Sequence, residues 1–109
     1  MRVGSVDMFL RMATFPITDG TLDRLRDRYW AECAPIVRAS AGNVGCLLLE
    51  SVDEANTVSA CTIWETEAHA VAYESSGRAV EVAGRVRQFF AGPPVVMSHR
   101  TIGGPIAGF

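Results

Sequence analysis

Between Val6 and Ala13 the chain alternates: Val6, Met8, Leu10 and Met12 fall on one side, while Phe9 and Ala13 join Asp7 and Arg11 on the other. A period of two predicts a strand. The run Phe15-Pro16-Ile17-Thr18-Asp19-Gly20-Thr21 predicts its end, with Asp19 or Thr21 placed to cap the next element. From Leu22 the period lengthens. Leu22, Leu25, Tyr29, Cys33 and Ile36/Val37 recur at helical spacing, with Asp23, Arg24, Asp27 and Arg28 off that stripe, which predicts a long amphipathic helix. Pro35 lies inside it, lacks an N–H and crowds the preceding turn, so a kink is expected there. Gly42 and Asn43 tolerate left-handed geometry and mark the helix end.

Val44 to Val52, centred on Cys46-Leu47-Leu48-Leu49, and Thr57 to Trp64 predict two further strands. The polar Asp53-Glu54-Ala55-Asn56 between them predicts an antiparallel hairpin. Thr66 is placed to cap a short helix through Tyr73, and Ser75-Ser76-Gly77 interrupts, the serines serving most simply as a cap for a second helix. Ala79, Val82/Ala83, Val86 and Phe89/Phe90 trace that second helical stretch, which Gly92-Pro93-Pro94 breaks. Val95 to Ile102 completes the set as a fourth strand, and the Gly-rich tail, residues 103–109, is expected to be loosely held. The order β-α-β-β-α-β predicts an α+β, ferredoxin-like fold: a four-stranded antiparallel sheet with helices on one face. It is expected as one domain over residues 1–109, with a core from about 5 to 102.

A sheet with one face in water should alternate cleanly. Leu47-Leu48-Leu49, Val95-Val96-Met97, Phe9-Leu10 and Ile63-Trp64 instead place bulk on both faces. At about 25 cal/mol per Å², leaving several such side chains wet forfeits several kcal/mol. The chain has no spare segment to cover the second face, so a homodimer through sheet-to-sheet packing is expected.

Composition narrows the chemistry. With 49% hydrophobic residues and a net charge of −2, the chain is too apolar to be disordered. No apolar run approaches the ~18 residues that cross a bilayer, and the start lacks a signal-peptide core, so a cytoplasmic protein without membrane contact is expected. All ten basic residues are Arg, which removes Schiff-base and phosphate-loop lysines together. A pI near 5.6 without a basic cluster argues against nucleic acid. Cys33, Cys46 and Cys61 form no CxxC, and only His69 and His99 could assist them, so buried free thiols are expected rather than a zinc site.

The segment Gly42-Asn43-Val44-Gly45-Cys46, the hairpin, and Thr62-Ile63-Trp64-Glu65-Thr66-Glu67-Ala68-His69-Ala70-Val71-Ala72-Tyr73 resemble the antibiotic biosynthesis monooxygenase (ABM) family of dimeric α+β barrels. The resemblance covers roughly residues 5 to 102. It implies a dimer and a small aromatic substrate, and it spans cofactor-free polyketide oxygenases, quinol monooxygenases and haem-degrading enzymes. Trp64 matches the tryptophan that closes the third strand in the family. Tyr73 falls where haem-degrading members carry a second tryptophan, but their haem-ligating histidine is replaced by Ala83, which offers iron no axial donor. Polyketide-type members line their pocket with Trp, Tyr, Arg and Asn. Trp64, Tyr73 and Arg85 or Arg87 match approximately, whereas Ala60 and Cys61 stand where the asparagine would be.

With no flavin or dinucleotide fingerprint in the sequence, the expectation is a monooxygenase without metal or flavin, using molecular oxygen as co-substrate on a phenolic, polyketide-like or quinol molecule. A phenol gives up an electron readily only once it is deprotonated. The protein would bind the ring, favour the phenolate and exclude water. The expected roles are Trp64 as ring-packing wall and N–H donor and Tyr73 as partner to a substrate oxygen. Arg85 or Arg87 would be the stabilising cation, and His99 the proton acceptor. The plainer readings are a core Trp64 and Tyr73, solvated Arg85 and Arg87, an exposed His69 and an interface His99. A dimer of the same fold that binds a hydrophobic small molecule without catalysis is the alternative.

Overall fold

The computed structural model describes residues 8–102. Four strands, β1 (Phe9–Pro16), β2 (Asn43–Glu50), β3 (Thr57–Trp64) and β4 (Val95–Arg100), form one sheet ordered β2-β3-β1-β4. Every neighbouring pair is antiparallel. Helices α1 (Leu22–Arg28), α2 (Ala34–Arg38), α3 (Glu67–Ser75) and α4 (Arg78–Val86) lie on one face, giving the expected ferredoxin-like α+β topology. No helix among the described residues is long and apolar enough to cross a membrane.

The sheet's register separates two sets of residues. Opposed residues of antiparallel strands share a face. On β1, Phe9, Arg11, Ala13 and Phe15 face the helices, opposite Trp64, Thr62, Ala60 and Val58 of β3. Leu10 and Met12 face away, opposite Ile63 and Cys61, and on the other flank opposite His99 and Met97. The helix-side core gathers Phe15, Leu25, Tyr29 and Cys33 at one end and Phe9, Val37, Trp64 and Tyr73 at the other. On the outer face Met8, Cys61 and Ile63 are buried, but the neighbouring apolar side chains of β2 and β4 are left open.

Local chemistry moved several boundaries. β1 runs through Phe15 to Pro16, past the expected stop, while Val6 and Asp7 lie outside the described residues. Pro16 is tolerated because β4 pairing has already ended at Thr14–Val95, and the Pro16 carbonyl is taken by the Ala91 N–H. The expected kink at Pro35 takes the form of a π-helical turn, Tyr29–Cys33, joining α1 to α2. There the Ala34 N–H reaches back to the Tyr29 carbonyl, which widens the helix just before the proline ring. Thr21 precedes α1 as expected, yet its hydroxyl donates to the Thr18 carbonyl (2.6 Å) and caps nothing. Thr66 does cap α3, accepting the His69 N–H. The residue immediately before α4 is Gly77, and Ser76 Oγ accepts the Arg78 N–H from one position earlier.

His69 departs from the exposed position expected for it. Its ring lies half-buried over Gly42, with Nδ1 bonded to Thr66 Oγ1 at 2.8 Å. Gly42 holds a φ of +78°, and any Cβ there would collide with that ring. All three cysteines are free thiols; Cys33 and Cys61 are buried and Cys46 half-buried. The expected loose tail, residues 103–109, lies outside the described residues.

Candidate functional site

Between the sheet and the helices lies an apolar cavity of about 200 Å³. Ala13, Phe15, Ala60 and Val96 supply its sheet side, and Ala79, Val82 and Val86 its α4 side. For comparison, an apolar cavity of roughly 150 Å³ admits one benzene ring. Five polar side chains reach its wall: Arg11, Thr62, Tyr29, Tyr73 and Glu74.

Tyr73 comes from the inner side of α3 and is nearly sealed. Burial pushes its phenol well above the ordinary range, reinforced by the Cys33 and Cys46 thiols and Glu74, with Arg78 opposing. Tyr29, in the π-helical turn, is raised the same way, first by burial and then by the adjacent Cys46 thiol. Both therefore meet a ligand at neutral pH as neutral phenols able to donate a hydrogen bond.

Trp64 is fully buried and does not line the cavity. Its indole N–H donates to Thr62 Oγ1 at 2.9 Å, and its ring packs on Tyr73 with centroids 4.9 Å apart. It stands behind two wall residues and fixes both. The N–H donor expected to face a substrate is thus already engaged.

The remaining candidates disperse. Arg85 projects from α4 to Glu81 (2.9 Å) and Glu32 (3.1 Å), away from the cavity lining. Those two carboxylates, Glu81 first, raise its pKa still further. Arg87 sits in the 3₁₀ turn Arg87–Phe89, exposed, beside a shallow opening that shares Ala83, Phe90 and Pro94 with the cavity. His99 is on the outer face of β4 opposite Leu10, so the whole sheet separates it from Tyr73. Tyr73 alone among the expected site residues borders the cavity directly, with Trp64 supporting it from behind.

Periodicity and motif missed the charged pair of the site. Arg11 reaches in from the middle of β1 and its Nη2 is bonded to both carboxylate oxygens of Glu74 on α3. Among the described residues Arg11 Nε and Nη1 have no partner. The available signal was parity: Arg11 shares its strand face with Phe9, Ala13 and Phe15. Glu74 comes directly after Tyr73, and no pattern marks it.

Ala83 and Ala60, where relatives of the resembling family would place a haem-binding histidine or an asparagine, both border the cavity as small apolar groups. Among the described residues no three His, Cys, Asp or Glu side chains cluster as a metal site requires.

Residues 8–84 match the sequence model of the antibiotic biosynthesis monooxygenases. No curated protein matches the chain by sequence. Among solved structures it is similar to a candidate antibiotic biosynthesis monooxygenase from Bordetella bronchiseptica, with a TM-score of 0.75 and 22% identity over 87% of this chain and 97% of that one. It is also similar to the Streptomyces coelicolor monooxygenase from ActVA-Orf6, solved with nanaomycin D (TM-score 0.74, 20% identity, 92% of each chain). A Nitrosomonas europaea protein of unknown function superposes as well, with a TM-score of 0.72 and 14% identity over 95% of this chain and 98% of that one. At these identities the structural likenesses speak for the fold alone. The sequence match covers most of the chain, and the chain belongs to the antibiotic biosynthesis monooxygenase family.

Proposed function

We propose that this chain is a cofactor-independent monooxygenase acting on a small phenolic or quinol-type aromatic, with dioxygen as co-substrate. The observation that carries the reading is the apolar cavity whose polar groups are two neutral phenols, Thr62 and the Arg11–Glu74 pair. Apolar walls hold a flat ring and exclude water, and the few polar groups orient it. Tyr73 donates a hydrogen bond to a ring oxygen, and Trp64 holds Tyr73 and Thr62 in place. In the overall change an activated ring CH₂ and O₂ become C=O and H₂O or, for a quinol, the hydroquinone and O₂ become a hydroxyquinone and H₂O. The substrate supplies all the electrons, so no external reductant enters. A carboxylate on the cavity wall favours this over a purely binding role, which needs no proton acceptor.

The same reading includes a homodimer. Leu47, Leu49, Val95 and Met97 form an open apolar tract on the sheet face away from the helices. A second copy placed face to face buries it, at on the order of 1–2 kcal/mol per half-exposed leucine or methionine.

The test is oxygen uptake by the purified chain with a panel of anthrones and hydroquinones, with and without a chelator. The expected result is enzyme-dependent uptake, unaffected by the chelator, matched to an oxygenated product (a ketone from an anthrone, a hydroxyquinone from a hydroquinone) without hydrogen peroxide. Uptake at buffer rates across the panel would leave the non-catalytic binding dimer as the reading.

A further inference from the structure

Arg11 and Glu74 are an unusual pair to find on the wall of an apolar cavity. Half-buried pairs of this kind return little stability, because desolvation offsets much of the attraction. The contact is also lopsided. Glu74 engages Nη2 with both oxygens, while Nε and Nη1, which carry three of the five N–H groups of a guanidinium, have no partner among the described residues. Across the sheet Arg11 is flanked by Thr62 on β3 and Ser98 on β4, and Glu74 follows Tyr73 on α3. The result is a spare donor set beside a carboxylate, at a cavity sized for an aromatic ring.

Building on the oxygenase reading, we infer that Arg11 binds the phenolic oxygen of the substrate and Glu74 accepts its proton. They take the two roles that the sequence had placed on Arg85 or Arg87 and on His99. Phenols are weaker acids than carboxylic acids, so the transfer accompanies loss of an electron from the ring. In that step the phenol O–H bond breaks and an O–H bond forms on Glu74. The ring loses one electron and becomes a phenoxyl radical, while dioxygen gains that electron and becomes superoxide. The negative charge leaves Glu74 and reappears on superoxide, beside the Arg11 cation. The net charge of the site is the same before and after, so no ion need enter the cavity. These roles define the substrate class: a phenol that arrives neutral, with its hydroxyl at the Arg11–Glu74 end and its apolar body against Ala60, Val82 and Val86. The other charges near this end are Arg78, bonded to Ser40, and Arg100 with Glu67.

The test uses 4-nitrophenol, a single-ring probe whose phenolate is yellow, titrated while bound to the intact chain and to three variants. Glu74→Gln leaves Arg11 without its counter-charge and should lower the bound probe's apparent pKa by about one to three units; Arg11→Gln leaves the carboxylate alone and should raise it by a similar amount. Arg11→Lys keeps the charge and should hold the probe near its value in the unmodified chain. Glu74→Gln should also cut oxygen-coupled turnover by about 100-fold or more, although it binds phenolate better. This opposition between tighter phenolate binding and slower turnover is foreign to an ion pair that only braces α3 against β1. Failure of 4-nitrophenol to bind, an unmoved probe in the two glutamine variants, or Arg11→Lys behaving like Arg11→Gln would each overturn the assignment. Opposed probe shifts without oxygen uptake by the unmodified chain would support Arg11 as the phenol ligand, and would overturn the oxygenase reading together with the proton step.

Discussion

On the helix side of the sheet Phe9, Phe15 and Trp64 are nearly or wholly sealed, whereas on the opposite side Leu47, Leu49, Val95 and Met97 are 41–62% exposed. Both faces are apolar. One is finished by the chain's own helices and encloses a cavity with phenols and an ion pair on its wall. The other carries His99 and apolar side chains, and among the described residues no helix lies above it. Strands that are greasy front and back meet two different surroundings: intramolecular packing accounts for one face, and the other is the face that the proposed homodimer would cover.

The contrast can be broken most forcefully from the sealed side. Trp64→Ala removes a side chain with no solvent exposure that supports both Tyr73 and Thr62. Its expected cost is about 3–5 kcal/mol, read as a fall in the urea midpoint, out of the roughly 5–15 kcal/mol a domain has. A loss below about 1 kcal/mol would mean the helix-side core is looser than described. On the open side, Leu47→Glu should leave the fold's circular dichroism intact and abolish self-association, since a buried carboxylate facing apolar β2 and β4 residues is strongly disfavoured. An associating Leu47→Glu variant would place the interface elsewhere.

Titration sharpens the same comparison. Burial pushes the Cys33 thiol up from 9.0 to about 11, partly opposed by Arg85. Between those values the unfolded chain has lost the thiol proton while the folded chain keeps it. The stability from the buried neutral thiol is full below pH 9 and falls as pH rises to about 11, by on the order of 2 kcal/mol. Urea melts at pH 8, 9, 10 and 11 measure this, and Cys33→Ala should flatten the slope. A Cys33→Ala variant with the same slope would assign the loss to other groups, the raised Tyr29 and Tyr73 phenols first among them. The smallest expected effect is that of Tyr73→Phe, which keeps the ring against Trp64 and deletes the donor. Turnover should fall about tenfold, or roughly 1.4 kcal/mol of transition-state stabilisation, with the melting curve almost unchanged. Equal kinetics would remove Tyr73 from the site.

Much of the scaffold was legible because strand and helix periods are local properties. The hairpin around Asp53–Asn56, the helical stripe through Leu25, Tyr29 and Cys33, and the grouping of His99 with Val95 and Met97 are all matters of spacing. Which face of a strand meets the helices is a global property, and there local reading lost its hold. Spacing puts His99 on one strand face with Val95 and Met97, yet the proton-acceptor role expected of it belongs to the opposite face. Arg11 shares its parity with Phe9 and Phe15, the buried side chains of β1, and the alternation alone does not say which side of the strand is covered. Arg85 and Arg87 differ by only two positions on the chain, yet one is tied down by Glu32 and Glu81 and the other ends at the rim of a shallow opening. The Arg11–Glu74 contact joins residues 63 positions apart, a separation that no periodicity encodes.

Sedimentation velocity on the purified chain at micromolar concentration bears most directly on the two-faced sheet. The expected result is a single species of twice the 11.8 kDa chain mass, reduced to one chain mass by Leu47→Glu. A compact single-chain species for the unmodified protein, with Leu47, Leu49, Val95 and Met97 left in water, would contradict it.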